Sequence, residues 1–170
     1  ENELKKLAAI FNKAEKVLIL AGQQFPKAQL EKMLVEFSEK TGAVVVKEHL
    51  AHLNSTQFMG SVDILMTSLL SENPEDFRPD LLITFGGSFV SKPLKQFLRK
   101  NKPENHWHLS LSGQHYDTYQ SLTRVINMET ADFFAQLSEQ ANPKKNAYFN
   151  RWKVKEQQVN KVREEFISQV

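Results

Sequence analysis

The stretch DLLITFGGSFVSKPLKQFL, Asp80 to Leu98, decides how this chain is read. LLITF is a short, nearly unbroken apolar run, the pattern of a strand buried on both faces of a sheet. Gly86 and Gly87 follow it. Ser91 then opens a segment in which Leu94, Phe97 and Leu98 recur at helical spacing. A strand, a glycine turn and a helix in immediate succession are half of a βαβ unit. The same turn has two readings: a cradle for a nucleotide phosphate, or the tight connection that any parallel α/β sheet requires.

Working outward, the same grammar repeats. ENELKKLAAIFNKA (1–14) reads as a helix, with Leu4, Leu7, Ala8 and Phe11 on one stripe, and KVLILAG (16–22) as a buried strand ending in glycine. PKAQLEKMLVEFSEKTG (26–42) reads as a helix with Pro26 in its first turn and Gly42 as its stop. AVVVKE (43–48) is a second buried strand. HLAHLNSTQFMG (49–60) lacks a period and is expected to be irregular. SVDILMTSLL (61–70) is expected to be helical with Ser61 as N-cap. PEDFRPD (74–80) reads as a loop, HWHLSL (106–111) and TRVINM (123–128) as strands, and ETADFFAQLSEQ (129–140) as a helix. Strand and helix alternate at βαβ spacing. The expected fold is α/β: three layers, with a mostly parallel, Rossmann-like sheet between helices and KVLILA and DLLITF near its centre.

The character changes after ANPKKN. Residues 147–170 form one charged segment with Tyr148, Trp152, Val159, Val162 and Phe166 on a stripe, the mark of a helix that lies along a neighbour. The expected division is an α/β domain over 1–146 and an amphipathic helix over 147–170 leading toward a further, C-terminal domain. Glu1 opens the sequence in place of a methionine, with no signal-peptide pattern, and the last residues fall inside the helix. The expectation is a piece of a longer protein.

Composition removes several classes of function. The 170 residues are 41% hydrophobic and 25% charged, with 22 basic against 20 acidic residues and a net charge of +2. That balance argues against a nucleic-acid binder, whose basic residues should dominate one face. No run approaches the roughly 18 apolar residues of a membrane span. There is no cysteine, so disulfides, CxxC redox chemistry and thiolate zinc are excluded, which fits a reducing cytoplasm.

The chemistry-bearing candidates are few. Gly22 and the pair Gly86 and Gly87 follow strands at the edge where parallel sheets bind ligands, yet neither turn spells GxGxxG or GxxxxGK[ST]. Lys92 falls in the first turn of a helix, where the macrodipole disfavours a cation. It reads either as a partner for an anion or as a solvated surface lysine. His106 and His108 alternate on a strand and share a face, with Trp107 on the other. His49 and His52 have helical spacing. A metal would need a third ligand that nothing in the sequence fixes. GxSxG and HExxH are absent.

PDLLITFGGSFVSKPLKQFLR, with VVVKEHLAHLNS upstream and HLSLSGQHYDTYQSLTRVI downstream, resembles the middle domain of the thiamine diphosphate-dependent 2-succinyl-5-enolpyruvyl-6-hydroxy-3-cyclohexene-1-carboxylate synthases of menaquinone biosynthesis. The resemblance covers most of the chain, including the Trp152 helix, and is most specific at the glycine pair and the Ser91, Lys92, Leu94 pattern that follows it. Gly113 and Asp117 fit a later G…D stretch of the family. What the resemblance implies is a cytoplasmic transferase, as the full-length protein, that decarboxylates 2-oxoglutarate on thiamine diphosphate and adds the succinyl unit to isochorismate. It also implies Mg²⁺ or Mn²⁺ with the cofactor between the first and third domains of paired subunits, so that the partners are the N- and C-terminal domains of the same chain in a homo-oligomer. No cofactor or metal ligand is carried over to this stretch, and its catalytic role is expected to be none. Lys92 is the one residue implied to reach toward substrate carboxylates. Pro93 stands where some members have arginine, and the acidic residue many members carry after the second strand is shifted into VVVKEHL, where Glu48 lies. Two other readings remain open: a self-sufficient nucleotide- or dinucleotide-binding module, and an interaction domain that docks a partner through residues 147–170.

Overall fold

The computed structural model describes every residue except Asn73. Five strands, β1 (Val17–Ala21), β2 (Val44–Lys47), β3 (Leu81–Phe85), β4 (Asn105–Leu109) and β5 (Arg124–Ile126), form one sheet in the order β2-β1-β3-β4-β5. Every neighbouring pair is parallel, with Ile19 opposite Val45 on one side and Ile83 on the other, and Ile83 opposite Trp107. β1 and β3 are fully buried along their lengths, as their unbroken apolar runs require of strands covered on both faces.

Six helices make the outer layers: α1 (Asn2–Lys13), α2 (Ala28–Thr41), α3 (Val62–Leu70), α4 (Lys92–Lys100), α5 (Thr130–Gln140) and α6 (Ala147–Ser168). The two-residue period of the strands sorts them. Val17, Ile19, Val45, Leu81, Ile83 and Trp107 face a core closed by α1, α2 and α5, in which Phe11, Phe37, Phe133 and Phe134 pack edge to face or tilted. Leu18, Leu20, Val44, Val46 and Leu82 face a second core closed by α3, α4 and α6. Trp152 of α6 is fully buried there, with the rings of Phe77 and Tyr148 against it. Lys144 ties α1 into the fold: its ammonium donates to the carbonyls of Phe11 and Ala14 at the C-terminus of that helix and lies 4.0 Å from the Phe11 ring centroid.

Four local expectations are corrected. α2 begins at Ala28, and Pro26 lies outside its first turn because Lys27 is extended and occupies the N-cap position. Ser61 stands at the N-cap of α3 but its hydroxyl caps nothing: its backbone is left-handed (φ 50, ψ 45), whereas a capping serine sits in the extended region. The loop 74–80 contains a 3₁₀ turn, Pro74–Phe77, and another, His49–Ala51, interrupts the irregular 49–60 segment. That segment also returns to the sheet through a single parallel bridge between Met59 and Val46. β4 and β5 are shorter than the apolar runs suggested, and Leu111 is exposed beyond the end of β4. Gly42 does end α2, with φ 71.

The chain passes from β1 to β2 on one side, then back beyond β1 to β3, so the crossover direction reverses between β1 and β3. In open α/β sheets that reversal usually leaves the ligand crevice. Here the two glycine turns fill it. Gly22 donates its N–H to the carbonyl of Phe85 at 2.9 Å, and Gly87 donates to the carbonyl of Gln23 at 2.7 Å. A Cβ on Gly22 would lie 1.9 Å from the Gly87 oxygen, and Gly86 holds φ 76 against the backbone of residues 22 and 23. The glycines serve the approach of one backbone to another.

Gly22→Ala should therefore destabilise the fold by about 2–4 kcal/mol, since a backbone, not a flexible side chain, must move. Gly60→Ala, whose added Cβ would meet only the Lys47 Cε at 3.6 Å, should stay within about 1 kcal/mol of the parent. Urea unfolding of both variants checks the pair, and equal losses would contradict the role given to the turn.

Candidate functional site

With the central crevice sealed, two clefts remain at the carboxyl edge of the sheet, and the turn between β3 and α4 borders both. Val90 and Ser91 line a cavity of about 520 Å³ together with Lys47, Glu48, Asn54 and Asp63. The glycine pair, Ser88 and Phe89 line another, of about 420 Å³, between β3 and β4.

Several polar groups bordering the first cleft have structural tasks. The Lys47 ammonium donates to the Leu53 carbonyl at 2.6 Å. The Glu48 carboxylate accepts from His49 N at 3.0 Å and from Val90 N at 3.2 Å, joining the loop after β2 to the turn after β3. Ser91 caps α4, its hydroxyl accepting from Leu94 N at 3.2 Å. Lys92 is the first residue of α4, exposed and in no ion pair among the described residues. Pro93 follows in the first turn, where a missing N–H costs nothing. The sequence placed Lys92 correctly on the helix, and the unfavourable end of the macrodipole is where it stands.

The second cleft contains what sequence reasoning only half found. His106 and His108 do share a face, and between them lies Thr84 of β3. Its hydroxyl is 2.9 Å from His106 Nε2 and 2.8 Å from His108 Nδ1, and His106 Nδ1 is 3.2 Å from the Ser121 hydroxyl. A threonine interrupting LLITF was the available signal. Burial, and then the neighbouring His108, push the His106 imidazole down to about 4. Burial, then His115, also lowers His108. Asp117 accepts from the N–H groups of Ser121 and Leu122 at 3.0 and 3.1 Å, and Gly113 takes φ 69, so this pair shapes the β4–β5 connection. His49 and His52 are exposed and lie on a single 3₁₀ turn and the left-handed residue after it.

The residues present do not suit a diphosphate cofactor or its metal. The turns that would cradle phosphate are packed on each other, and among the described residues no three His, Cys, Asp or Glu side chains are grouped to hold an ion. Nor is any helix of the described residues long and apolar enough to cross a membrane.

The buried imidazole predicts a pH dependence. In the unfolded chain His106 titrates near the usual value of about 6.5. Between that pH and about 4 the unfolded state takes up a proton that the folded state refuses, so stability falls as pH drops through this window, by up to about 3 kcal/mol. Urea midpoints measured across that range should show the slope, and His106→Gln should reduce it. An unchanged slope in the variant would assign the loss to other groups.

Comparison with known proteins agrees with this architecture. A family model described as "Middle domain of thiamine pyrophosphate" matches residues 3–170. Three similar proteins carry the name 2-succinyl-5-enolpyruvyl-6-hydroxy-3-cyclohexene-1-carboxylate synthase. That of Flavobacterium johnsoniae is 34% identical over 89% of this chain and 27% of its own length. That of Flavobacterium psychrophilum is 33% identical over 81% of this chain and 25% of its own length, and that of Phocaeicola vulgatus 31% identical over 89% and 27%. The chain thus spans about a quarter of these relatives. A match over nearly every residue, on an all-parallel five-stranded sheet, makes this chain a member of the thiamine pyrophosphate middle-domain family.

Proposed function

We propose that the chain is the middle domain of a thiamine diphosphate-dependent synthase that joins the succinyl unit of 2-oxoglutarate to isochorismate in menaquinone biosynthesis. The observation that carries this reading is the shared name of relatives at 31–34% identity over 81–89% of the chain. The domain's own work is architectural: it is a rigid sheet whose crevice is closed by backbone. The cofactor would supply carbanion chemistry when bound, and with Mg²⁺ or Mn²⁺ it would be held between the first and third domains of paired subunits in a cytoplasmic homo-oligomer, outside the residues of this domain. In this reading α6, beyond its buried first half, leads toward the C-terminal domain.

Lys92 is the substrate-facing residue of this proposal. Both substrates are dicarboxylates, and an exposed ammonium at the carboxyl edge of the sheet offers the charge that such anions need. The glycine turn holds the start of α4 in place, so the lysine is carried on a rigid element.

Two measurements test the reading. The 170-residue chain alone should bind thiamine diphosphate no better than millimolar by calorimetry, and saturable micromolar binding would overturn the architectural role. In the intact enzyme, Lys92→Ala should lower kcat/KM for a dicarboxylate substrate by roughly 10- to 150-fold, the worth of a hydrogen bond to a charged group. The melting temperature should hold, because an exposed lysine stabilises little. Unchanged kcat/KM for both substrates would return Lys92 to a solvated surface charge.

A further inference from the structure

The cleft between β3 and β4 has no part in the reading above, yet it has the attributes of a binding site. Its volume of about 420 Å³ is in the range of small-molecule pockets. Leu20 and Phe89, both nearly fully buried and on the same sheet face as Thr84, supply an apolar floor. None of the lining residues is Lys, Arg, Asp or Glu, while hydroxyls and imidazoles are plentiful. Such a surface offers no counter-charge to offset the desolvation of an ion.

Two polar groups face this cleft without protein partners. Tyr119 is 6% exposed, and its hydroxyl makes no hydrogen bond among the described residues; the charges of Glu48 and Arg99 act on it only at a distance. Trp152 Nε1 is the one fully enclosed side-chain polar atom without a partner among the described residues, so the Tyr119 hydroxyl keeps access to the open space of the cleft, where a ligand can reach it. His108 is the second. Its Nδ1 is engaged by Thr84, which leaves Nε2 for whatever occupies the cleft.

The hydrogen-bonded chain Ser121–His106–Thr84–His108 then sets what Nε2 can do. Thr84 has one proton. If it donates that proton to His108 Nδ1, the Nε2 of a neutral His108 carries N–H and donates into the cleft. If it donates to His106 Nε2 instead, His108 Nδ1–H donates to Thr84, and Nε2 accepts from the cleft. A ligand hydroxyl, which both donates and accepts, satisfies either direction, as it does the unpaired hydroxyl of Tyr119. A carboxylate can only accept and an ammonium can only donate.

The geometry points to a binding site between β3 and β4 for an uncharged, ring-sized molecule bearing a hydroxyl group, held by His108 Nε2 and the Tyr119 hydroxyl over the Leu20 and Phe89 floor. This site is independent of the synthase reading and of Lys92, since Lys92 does not line the cleft.

Three probes of one ring size test it: cyclohexanol, cyclohexanecarboxylate and cyclohexylammonium, titrated into the ¹⁵N-labelled chain at neutral pH. Cyclohexanol should shift the His108 Nε2 resonance saturably in the millimolar range, with both charged analogues weaker by about tenfold or more. Tyr119→Phe removes a hydroxyl that holds nothing within the fold. It should keep the melting temperature and weaken cyclohexanol about three- to tenfold, the net worth of one hydrogen bond. Should that variant melt lower, the ranking of the three probes on the unmodified chain carries the test. No saturable shift with cyclohexanol, equal or tighter binding of a charged analogue, or undiminished affinity in the hydroxyl-deleted variant would each overturn the proposal.

Discussion

The contact on which the rest of the structure depends is the meeting of two backbones at the sheet's carboxyl edge. The turn after β1 and the turn after β3 exchange hydrogen bonds through Gly22 and Gly87, with no room for a side chain between them. Because β1 and β3 are adjacent, this contact fixes the relative height of the two strands and hence the register of the whole parallel ladder. It also sets where α4 starts, and with it the position of Lys92 at the helix's first residue. The crossover reversal that related folds leave open for a ligand is here a structural joint.

Closing that joint moves any chemistry outward. On one side, Glu48 spans from the loop after β2 to the turn after β3, so the first cleft is braced by a carboxylate with two backbone donors. On the other, the sheet surface under α4 turns from apolar to polar at its end: Leu82 is followed two residues on by Thr84, which meets His106 and His108. The same strand therefore contributes to a hydrophobic core at one end and to a hydrogen-bonded cleft at the other. Burying neutral imidazoles is tolerable because each nitrogen of His106 has a hydroxyl partner.

α6 shows the same division along its length. Tyr148, Trp152 and Val159 are buried against the second core, and Lys155 reaches Glu72 at 2.6 Å. Val162 and Phe166, on the same stripe, are exposed. One amphipathic pattern thus has two fates, decided by how far α3 and the 3₁₀ turn before β3 extend beneath it.

Several features were determined by the sequence itself. Unbroken apolar runs ending in glycine made a parallel sheet the solution that hides both strand faces, and helical stripes between them placed the outer layers. The His106 and His108 pair was visible too, since the two-residue period of a strand is a local property. Tertiary structure alone decided what these parts are for. That Gly22 exists for Gly87, that Thr84 lies between two histidines, and that Ser61 fails as a cap all depend on partners or backbone angles set by residues distant in the chain. Spacing along a sequence reports the periodicity of one element. Only packing reports which atoms of two elements come within hydrogen-bond distance, and in this protein those meetings occur between strands joined through long crossovers.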